Sequence, residues 1–442
     1  MQHQEKLKNL ASEVKEKARA KEPVTFRKKS VSHTVPDPKD PRFKKKKIDL
    51  SSFDQILEID PEKKICRAES GITFYDLVQA TLKHNLIPMT VPELKTITIG
   101  GAVSGCSVES MSFKYGGFHD SCLEYEVVTG TGEVMHCSPE KNNHLFEAMH
   151  NSFGTLAILT SLTFKLIPAK SFVKMEYVSK DNVGDYWQFL KERIDERDYD
   201  FIDGIVYDKN TFVVCLGNMV DTAPALSSYS GENIFHRSVV NLQTDYMTLA
   251  EYFFRYDADC HWLTNAIPPL TWKPIRKTLG KYFLGSTNLI KWSKRLRHAL
   301  KMKKRPDVVV DVFIPHENFE KFYEWYEKEF DFYPLWIVPY RYNQPYPFVD
   351  DDFAKGMSSE NLIIDFAIYG KANNQPDIDY SEILEDKVYE LNGIKTLISR
   401  NHYSPERFWK IYSKERYSAA KSQLDPDGLF ADIYTKFHNR TS

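Results

Sequence analysis

VPELKTITIGGAVSGCSVESMSFKYG, residues 91–116, is the stretch that decides how this chain is organised. An extended lead-in of alternating threonine and isoleucine runs into Gly100-Gly101, and small residues follow as far as Ser107. Glycine allows positive φ and close approach of another group, and a run of exposed backbone N–H groups suits a phosphate. The stretch therefore predicts a phosphate-binding loop, with a tightly packed structural loop as the alternative. The chain contains neither a Rossmann fingerprint nor a P-loop motif.

Length and composition limit the class of protein. At 442 residues the chain is longer than one core usually supports, so two lobes are expected. Lys and Arg total 59 against 61 Asp and Glu, so the net charge of −2 gives no indication of nucleic-acid binding. Six cysteines without C-x-x-C spacing predict neither a metal site nor disulfides, and favour a reducing cytoplasm. Apolar runs are too short for a membrane span, and the N-terminus does not resemble a signal peptide.

The first part of the chain shows a helix followed by short strands. Residues 5–20 carry apolar side chains at helical spacing, and residues 24–27 follow as a strand. Around the glycine stretch, residues 56–68 predict a strand pair and residues 123–137 predict a hairpin that turns at Gly130-Thr131-Gly132. Charged, helix-rich sequence then begins, so we place a domain boundary near residue 170.

The second part alternates strands and helices. Residues 201–217 predict a hairpin, and residues 308–399 predict two β-α-β units. This order is typical of a split-βαβ sheet covered by helices. Ser404 followed by Pro405 predicts the start of another helix. We therefore expect an α+β protein.

Four segments, taken in order, resemble FAD-binding domains of the PCMH type, the vanillyl-alcohol-oxidase superfamily. The quoted stretch is similar to the second phosphate loop of that family, and residues 124–137 match its hairpin. Ser152 to Ile158 resembles an S-x-G-x-L-G-I segment, with Ala157 at the usual glycine, and Leu424 to Phe430 resembles the closing segment. The family implies residues 1–170 as an FAD-binding domain, 171–400 as a ferredoxin-like substrate (cap) domain and 401–442 as a segment returning to the flavin.

The resemblance is greatest to the Δ24-sterol reductase (Diminuto-like) branch. The segments that carry it include Pro92-Glu93-Leu94, Tyr333-Pro334-Leu335-Trp336 and Ile364 to Gly370. Members in plants and animals carry an N-terminal membrane anchor, which we do not find here. The sequence around Tyr256 and Ala258 also departs from the branch, and that places the sterol substrate in question more than the flavin.

The family implies a set of cofactor-binding positions. The residues expected to bind FAD are Arg27, Ser30, His33, Thr98, Ile99, Gly100, Gly101, Ala102, Gly105, Ser107, Glu109, Ser110, Tyr115, Gly116, Gly154 and Ile158. The backbone N–H groups of Gly100 and Gly101 would face the pyrophosphate. His33 could bond covalently to the flavin, but we expect a non-covalent cofactor.

The implied reaction passes a hydride from NADPH through the flavin to a C=C bond, while an acid donates a proton. Candidates in the second lobe are Tyr252, Arg255, His261, Asp365, Tyr369 and Tyr434. Of these we select Tyr369 and Arg255 as catalytic residues, because they lie in segments that match the branch. The implied substrate is a small hydrophobic molecule, sterol-like or isoprenoid.

Two other functions stay open, as does contact with a membrane. The alternatives are a flavin oxidase or dehydrogenase of an alcohol or sugar, and a flavin-free lipid-binding protein. Residues 279–305 set aromatic and aliphatic side chains beside a basic cluster, which suits a membrane surface; a covered helix with a solvated basic tail is the other interpretation. We expect a cytoplasmic protein, with peripheral membrane contact as an open alternative.

Overall fold

The computed structural model describes residues 2–30, 46–231, 233–266, 268–289, 292, 307–343 and 346–438. The predicted His33 position and the whole basic cluster at 293–305 lie outside these ranges. None of the helices among the described residues is long and apolar enough to cross a bilayer.

The strands form two large antiparallel sheets and one small parallel pair. In chain order they are β1 Val24–Arg27, β2 Lys46–Asp49, β3 Ile56–Asp60, β4 Ile65–Glu69, β5 Leu86–Pro88, β6 Cys122–Thr129, β7 Val134–Cys137, β8 Ala157–Pro168, β9 Phe172–Lys180, β10 Phe201–Asp208, β11 Thr211–Val220, β12 Thr244–Thr248, β13 Val308–Pro315, β14 Leu335–Arg341, β15 Leu362–Lys371 and β16 Ile394–Lys395.

Helices pack on both sheets and at both ends of the described chain. They are α1 His3–Arg19, α2 Phe74–Thr81, α3 Ile99–Gly105, α4 Ser112–Tyr115, α5 Asn143–Ala148, α6 Val183–Glu196, α7 Phe235–Val239, α8 Leu249–Phe253, α9 Lys273–Phe283, α10 Phe319–Trp325, α11 Asp351–Lys355, α12 Tyr380–Glu390, α13 Pro405–Ile411, α14 Lys414–Leu424 and α15 Ile433–Phe437.

The first large sheet has the order β3-β4-β8-β6-β7, with β5 paired to β8. It includes the predicted hairpin, in which Val128 pairs with Val134 across the turn. Because β8 is long, it pairs with β4, β5 and β6 and joins the early strands into one layer. The glycine stretch leaves this layer and folds against it.

The second sheet has the order β12-β9-β11-β10-β14-β15-β13-β16. In β9-α6-β10 and again in β13-α10-β14, the two strands joined by the helix flank a third strand, β11 or β15 respectively. That arrangement is the split-βαβ unit, so the predicted α+β class with a ferredoxin-like sheet is confirmed. The last strand of the second predicted β-α-β unit was expected at residues 395–399, but the strand observed there is the two-residue β16, which overlaps that range only at Lys395.

The two faces of the second sheet have different partners. Ile202, Ile337 and Phe366 point to a core that also contains α6, α10 and α12. Alternate residues point the other way, so that Ile205, Trp336 and Ala367 join the core of the first sheet. The second sheet therefore presents one face to its own helices and the other to the half of the molecule that contains the first sheet.

The glycine stretch contains a helix that the sequence interpretation did not predict. Residues 99–105 form α3, and the lead-in forms an isolated bridge between Thr98 and Thr73 in place of a strand. Thr98 caps the helix by accepting a hydrogen bond from the Gly101 N–H. Two consecutive glycines have low helix propensity, which is why the pattern suggested an extended loop.

Candidate functional site

The first turn of α3 is held close to the strand layer. The Gly100 N–H donates to the Ser70 carbonyl at 2.8 Å, and a Cβ at Gly100 would lie 2.7 Å from the Ser70 Cβ. Glycine is therefore required at 100 for close packing. The Gly100 N–H is thus occupied by the Ser70 carbonyl, and the Gly101 N–H is occupied by the Thr98 hydroxyl at 3.3 Å, so both N–H groups that were expected to face the pyrophosphate have partners within the protein.

Gly101 has a more open position than Gly100. A Cβ there would lie 3.5 Å from the Lys28 Nζ, and this ammonium group also lies 3.4 Å from the Thr98 hydroxyl. Lys28 follows Arg27, whose side chain is exposed and pairs with Asp49 at 3.8 Å. The Lys28 ammonium therefore lies on the solvent side of the start of α3. The sequence interpretation did not name this residue.

Two further predicted cofactor positions belong to the same side of the molecule. The Ser30 Oγ is buried and has no hydrogen-bond partner among the described residues. Gly154 has a φ of +64°, and a Cβ there would lie 3.0 Å from the Phe26 ring. Gly105 lies beside the neighbouring Phe153 ring, so residues 26–30, 98–105 and 153–154 meet at this edge.

The rest of the glycine stretch turns beneath α4. Gly116 has a φ of +81°, and a Cβ there would lie 2.4 Å from an Asp120 carboxylate oxygen. The same carboxylate accepts from the Gly117 N–H at 2.8 Å. Burial raises the pKa of Asp120 to about 7. Tyr115 is half-buried, with the Lys114 ammonium over its ring.

The remaining predicted positions are structural neighbours of these. Ala102 is fully buried, and its carbonyl accepts from the Ser107 N–H at 2.9 Å. Ile99 is also fully buried. Ile158 lies in β8 and packs in the small core below α1, with Val128 as its strand partner. Their assignment to the cofactor stays a prediction.

A buried polar cluster lies between the two halves, and Arg255 is its centre. The Arg255 guanidinium donates to Asp203 at 2.7 Å and to Glu109 at 3.3 Å. The indole N–H of Trp336 donates to the same Asp203 oxygen at 2.8 Å. Glu109 comes from the glycine stretch, whereas Asp203 and Trp336 come from β10 and β14. Arg255 therefore joins the two halves electrostatically.

The backbone reinforces this junction. The Ile202 N–H donates to the Ser110 carbonyl at 2.9 Å, and the Ser110 and Tyr252 hydroxyls lie 2.8 Å apart. Tyr252 also lies beneath the guanidinium, whose carbon is 4.1 Å from the ring centroid. Both predicted residues, Glu109 and Ser110, are thus brought to Arg255.

Aromatic rings connect Arg255 to a second group of acids. Its guanidinium lies 4.8 Å from the Tyr256 ring, which stacks on His261 at 5.0 Å. The His261 ring in turn lies 4.7 Å from the Tyr369 ring. His261 Nε2 lies 2.5 Å from Glu93, and the Tyr369 hydroxyl donates to Asp311. The structure therefore places Tyr369 and Arg255, the two selected residues, in one cluster.

Burial controls the protonation of these carboxyl groups. It raises the pKa of Glu109 well above its ordinary value, although the Arg255 charge opposes the shift. Burial also raises the pKa of Asp311 to about 6, and raises that of the neighbouring Asp365 well above its usual range. For Glu93 burial acts in the same direction, but the contact with His261 outweighs it and lowers the pKa. The cluster therefore combines protonated and ionised acids at neutral pH.

Sequence reasoning missed several members of the cluster. Asp203 and Asp311 were not singled out, although each is an acidic residue within an otherwise apolar strand. Such a residue on the inner face of a strand is costly to bury, and this was the available signal. Tyr434 was a candidate, but its hydroxyl donates to the Tyr403 carbonyl and the described contacts do not bring it to the cluster.

Several polar groups of the cluster are available to hydrogen-bond a ligand. The buried atoms without a hydrogen-bond partner among the described residues include Glu109 Oε2, Asp203 Oδ1, Arg255 Nε, Tyr256 OH, His261 Nδ1, Trp262 Nε1 and Asp365 Oδ1. Buried polar groups are rarely left unpaired. These donors and acceptors suit a polar heterocycle, and the Lys28 ammonium and the Ser30 hydroxyl suit its phosphates, beside the more open position of Gly101. The residues present therefore fit FAD.

Comparison with known proteins gives the same assignment for the N-terminal part. A family described as FAD binding domain matches residues 4–138. Cytokinin dehydrogenase 5 of Arabidopsis thaliana is 28% identical over 151 residues, which cover 34% of this chain and 28% of that protein. That similarity extends over one part of the chain only.

Another group of relatives spans both halves. Delta(24)-sterol reductase of Homo sapiens is 27% identical over 414 residues, covering 89% of this chain and 78% of that protein. The Delta(24)-sterol reductase homolog dhcr-24 of Caenorhabditis elegans is 25% identical over 415 residues, covering 88% and 78%. Residues 4–138 thus match an FAD binding domain, and over most of its length the chain is similar to the Delta(24)-sterol reductases.

Proposed function

We propose that this protein is an FAD-dependent oxidoreductase that reduces a C=C bond of a sterol-like or isoprenoid substrate, with NADPH as the hydride donor. Similarity to Delta(24)-sterol reductases across both halves of the chain is the observation that carries the proposal. The protonated acids at the junction support it, because reduction of an alkene needs a proton donor as well as a hydride.

We assign FAD to the edge formed by Lys28, Ser30 and Gly101, with its ring toward the Arg255 cluster. The chemistry that FAD supplies when bound is hydride transfer. Arg255 Nε has no acceptor among the described residues, so this N–H is available to the oxygen or nitrogen acceptors of a ring. We propose a non-covalent cofactor, which acid precipitation of the protein would release into the supernatant.

Tyr369 is the proposed proton donor to the substrate carbon that does not receive the hydride. Burial raises the pKa of its hydroxyl well above the ordinary value, so the group keeps its proton at neutral pH. The Asp311 carboxylate accepts the hydrogen bond of this hydroxyl. After the transfer, Asp311 takes up one proton from solvent and passes it to the phenolate oxygen, which restores the neutral phenol beside the carboxylate.

Anaerobic mixing with NADPH tests the proposal. The visible absorbance of the oxidised flavin is expected to bleach on mixing with NADPH. Addition of a Δ24-unsaturated sterol is then expected to restore it, with a product that has gained two hydrogen atoms by mass spectrometry. A bleached flavin that no unsaturated sterol or isoprenoid reoxidises would reject the substrate class.

Admission of air after flavin reduction, and addition of FAD to the purified protein, separate the open alternatives. Flavin reduced by an alcohol or sugar, with rapid reoxidation by O₂ and no response to NADPH, would identify an oxidase. Colourless protein that takes up no added FAD would support flavin-free lipid binding. We also propose that the substrate is drawn from a membrane, which requires a surface that contacts lipid.

A further inference from the structure

One helix has an apolar stripe on its outer surface. Trp272, Leu279 and Tyr282 are 59%, 44% and 57% exposed, which is unusual for large apolar side chains. Trp272 caps α9, and Leu279 and Tyr282 lie within it. Together with half-buried Ile275, they follow one another at intervals of three or four residues, so they lie along one side of the helix.

The inner side of α9 is fixed to the protein. The buried Arg276 donates to Asp259 at 2.6 Å and to the Gly231 carbonyl at 2.9 Å. Gly280 and Leu284 are buried beside it. The exposed stripe therefore belongs to a held helix, and its side chains cannot turn inward without breaking these bonds.

The charge of α9 is of one sign. Its sequence KPIRKTLGKYF contains four basic residues and no acidic residue. Arg276 is neutralised by Asp259, and Lys273 and Lys277 are exposed. Aromatic and aliphatic side chains on one side of a helix with lysines beside them are typical of helices that lie in a membrane interface.

The helix also connects directly to the candidate site. Gly285, just after α9, donates to the Ala258 carbonyl at 2.9 Å. The next residue, Ser286, donates to Asp257 at 2.6 Å and lies 3.1 Å from the Thr96 hydroxyl. Residues 257–258 lie between Tyr256 and His261 of the cluster, and Thr96 belongs to the glycine stretch. The stripe is therefore on the segment that supports the site.

We infer that the outer side of α9 is a docking surface for a bilayer containing anionic phospholipids. Trp272, Leu279 and Tyr282 enter the interface, and Lys273 and Lys277 contact the anionic headgroups. This inference rests on the proposed function in one respect: docking would serve to bring a lipid substrate to the junction of the two halves. The surface itself can be tested without turnover.

Vesicle co-sedimentation of the full chain tests the surface. Unmodified protein is expected to pellet with vesicles of phosphatidylcholine and phosphatidylserine, less with phosphatidylcholine alone, and less at high salt. Two variants test the two parts of the surface. The first removes the apolar stripe and combines Trp272→Ser, Leu279→Ser and Tyr282→Ser. The second reverses the exposed charge and combines Lys273→Glu and Lys277→Glu. Each is expected to lower partitioning about tenfold or more, given the contribution of a single lysine near an anionic surface and of buried apolar area.

Matched controls come from exposed residues elsewhere. Val134→Ser with Ile378→Ser removes exposed apolar side chains, and Lys410→Glu with Lys414→Glu reverses two exposed lysines at the same sequence spacing. Both controls are expected to pellet as the unmodified protein does. Circular dichroism of each variant verifies folding, and the lysine variant is the safer test because it changes only exposed charges.

The inference is overturned if the unmodified protein stays in the supernatant, if the α9 variants pellet like it, or if the controls lose binding equally. Turnover of a sterol delivered in cyclodextrin tests the proposed reaction separately. Vesicle binding that depends on α9 without turnover would reject the reaction and keep the surface. Turnover without vesicle binding would reject the docking surface and keep the proposed reaction.

Discussion

Arg255 is a buried cation that donates hydrogen bonds to residues from both halves. Its removal by Arg255→Met would leave Asp203 buried without its cation and Glu109 without its hydrogen-bond donor. We expect a loss of about 3–5 kcal/mol in the free energy of unfolding, measured by urea denaturation. Adding Asp203→Asn to this variant should restore part of the loss, since the amide carries no charge.

The exposed pair of Arg407 and Asp386 provides the control for Arg255. Arg407→Met removes the same type of side chain from a pair that is open to solvent. Exposed ion pairs contribute about 0–1 kcal/mol, so this variant should denature close to the unmodified protein. Equal losses in the free energy of unfolding for the two arginine variants would contradict the central position of Arg255 in the buried cluster.

Tyr369→Phe removes the proposed proton donor and keeps the ring that packs on His261. We expect kcat to fall by roughly 10²–10⁴-fold, the usual contribution of a positioned acid. FAD content and reduction by NADPH should be unchanged, because the hydride step does not use the hydroxyl. Tyr389→Phe is the control, since its ring packs on Phe353 and Tyr403 outside the cluster. A variant with full activity would exclude Tyr369 as the donor.

At the level of elements, the two glycines that begin α3 have separate roles. Gly100→Ala places a Cβ against the Ser70 Cβ and carbonyl, so it should cost about 1–3 kcal/mol of stability through overpacking. Gly101→Ala meets only the Thr98 hydroxyl and the flexible end of Lys28. It should lower FAD affinity more than stability.

Thermal unfolding of both apo variants and titration of each with FAD would separate these effects. Gly100→Ala should lower the unfolding temperature, whereas Gly101→Ala should mainly weaken the binding of FAD in the titration. If Gly101→Ala binds FAD as tightly as the unmodified protein, the phosphate does not lie at this helix start.

The turn that follows α4 should make stability depend on pH. Burial raises the pKa of Asp120 to about 7, whereas an unfolded aspartate titrates near ~3.9. The folded state therefore keeps a proton that the unfolded chain releases between these values. The stabilisation is complete below about pH 4 and is lost as the pH rises through about 7.

Asp120→Asn should remove this dependence, since the amide stays neutral and its oxygen can still accept from the Gly117 N–H. Relative to this variant, the unmodified protein should lose on the order of 3 kcal/mol between pH 4 and pH 8. Denaturant titrations at each pH measure the difference. Asp427→Asn, at an exposed position, should follow the unmodified protein at every pH.

The elements were more predictable from sequence than the contacts between them. Alternation of apolar residues indicated the hairpins and the split-βαβ order, because period-two patterning is local. The helix at residues 99–105 was missed, since the propensity of Gly100-Gly101 obscured the capping signal of Thr98. The partnership of Arg255 with Asp203 and Glu109 could not be read from a single sequence, because each pairing depends on how the two sheets meet.

At the scale of the whole molecule, FAD should stabilise the protein against heat. A ligand that binds only the folded state adds about 2.7 kcal/mol at a concentration one hundred times its Kd. Removal of FAD should therefore lower Tm by several degrees, and addition of FAD should restore it. An apo protein with an unchanged Tm, and no shift when FAD is added, would argue that FAD does not bind the folded chain.

Residues 421–436 return to the half of the molecule that contains the first sheet. The Lys421 ammonium donates to the Thr155 carbonyl at 2.6 Å, and that of Lys436 donates to the Phe153 carbonyl at 2.5 Å. The Val24 N–H, at the start of β1, donates to the Leu429 carbonyl at 3.2 Å. During translation, residues 24 and 153–155 leave the ribosome long before their partners exist. The part of the molecule around β1 and residues 153–155 can therefore reach its final form only after the whole second sheet has been synthesised.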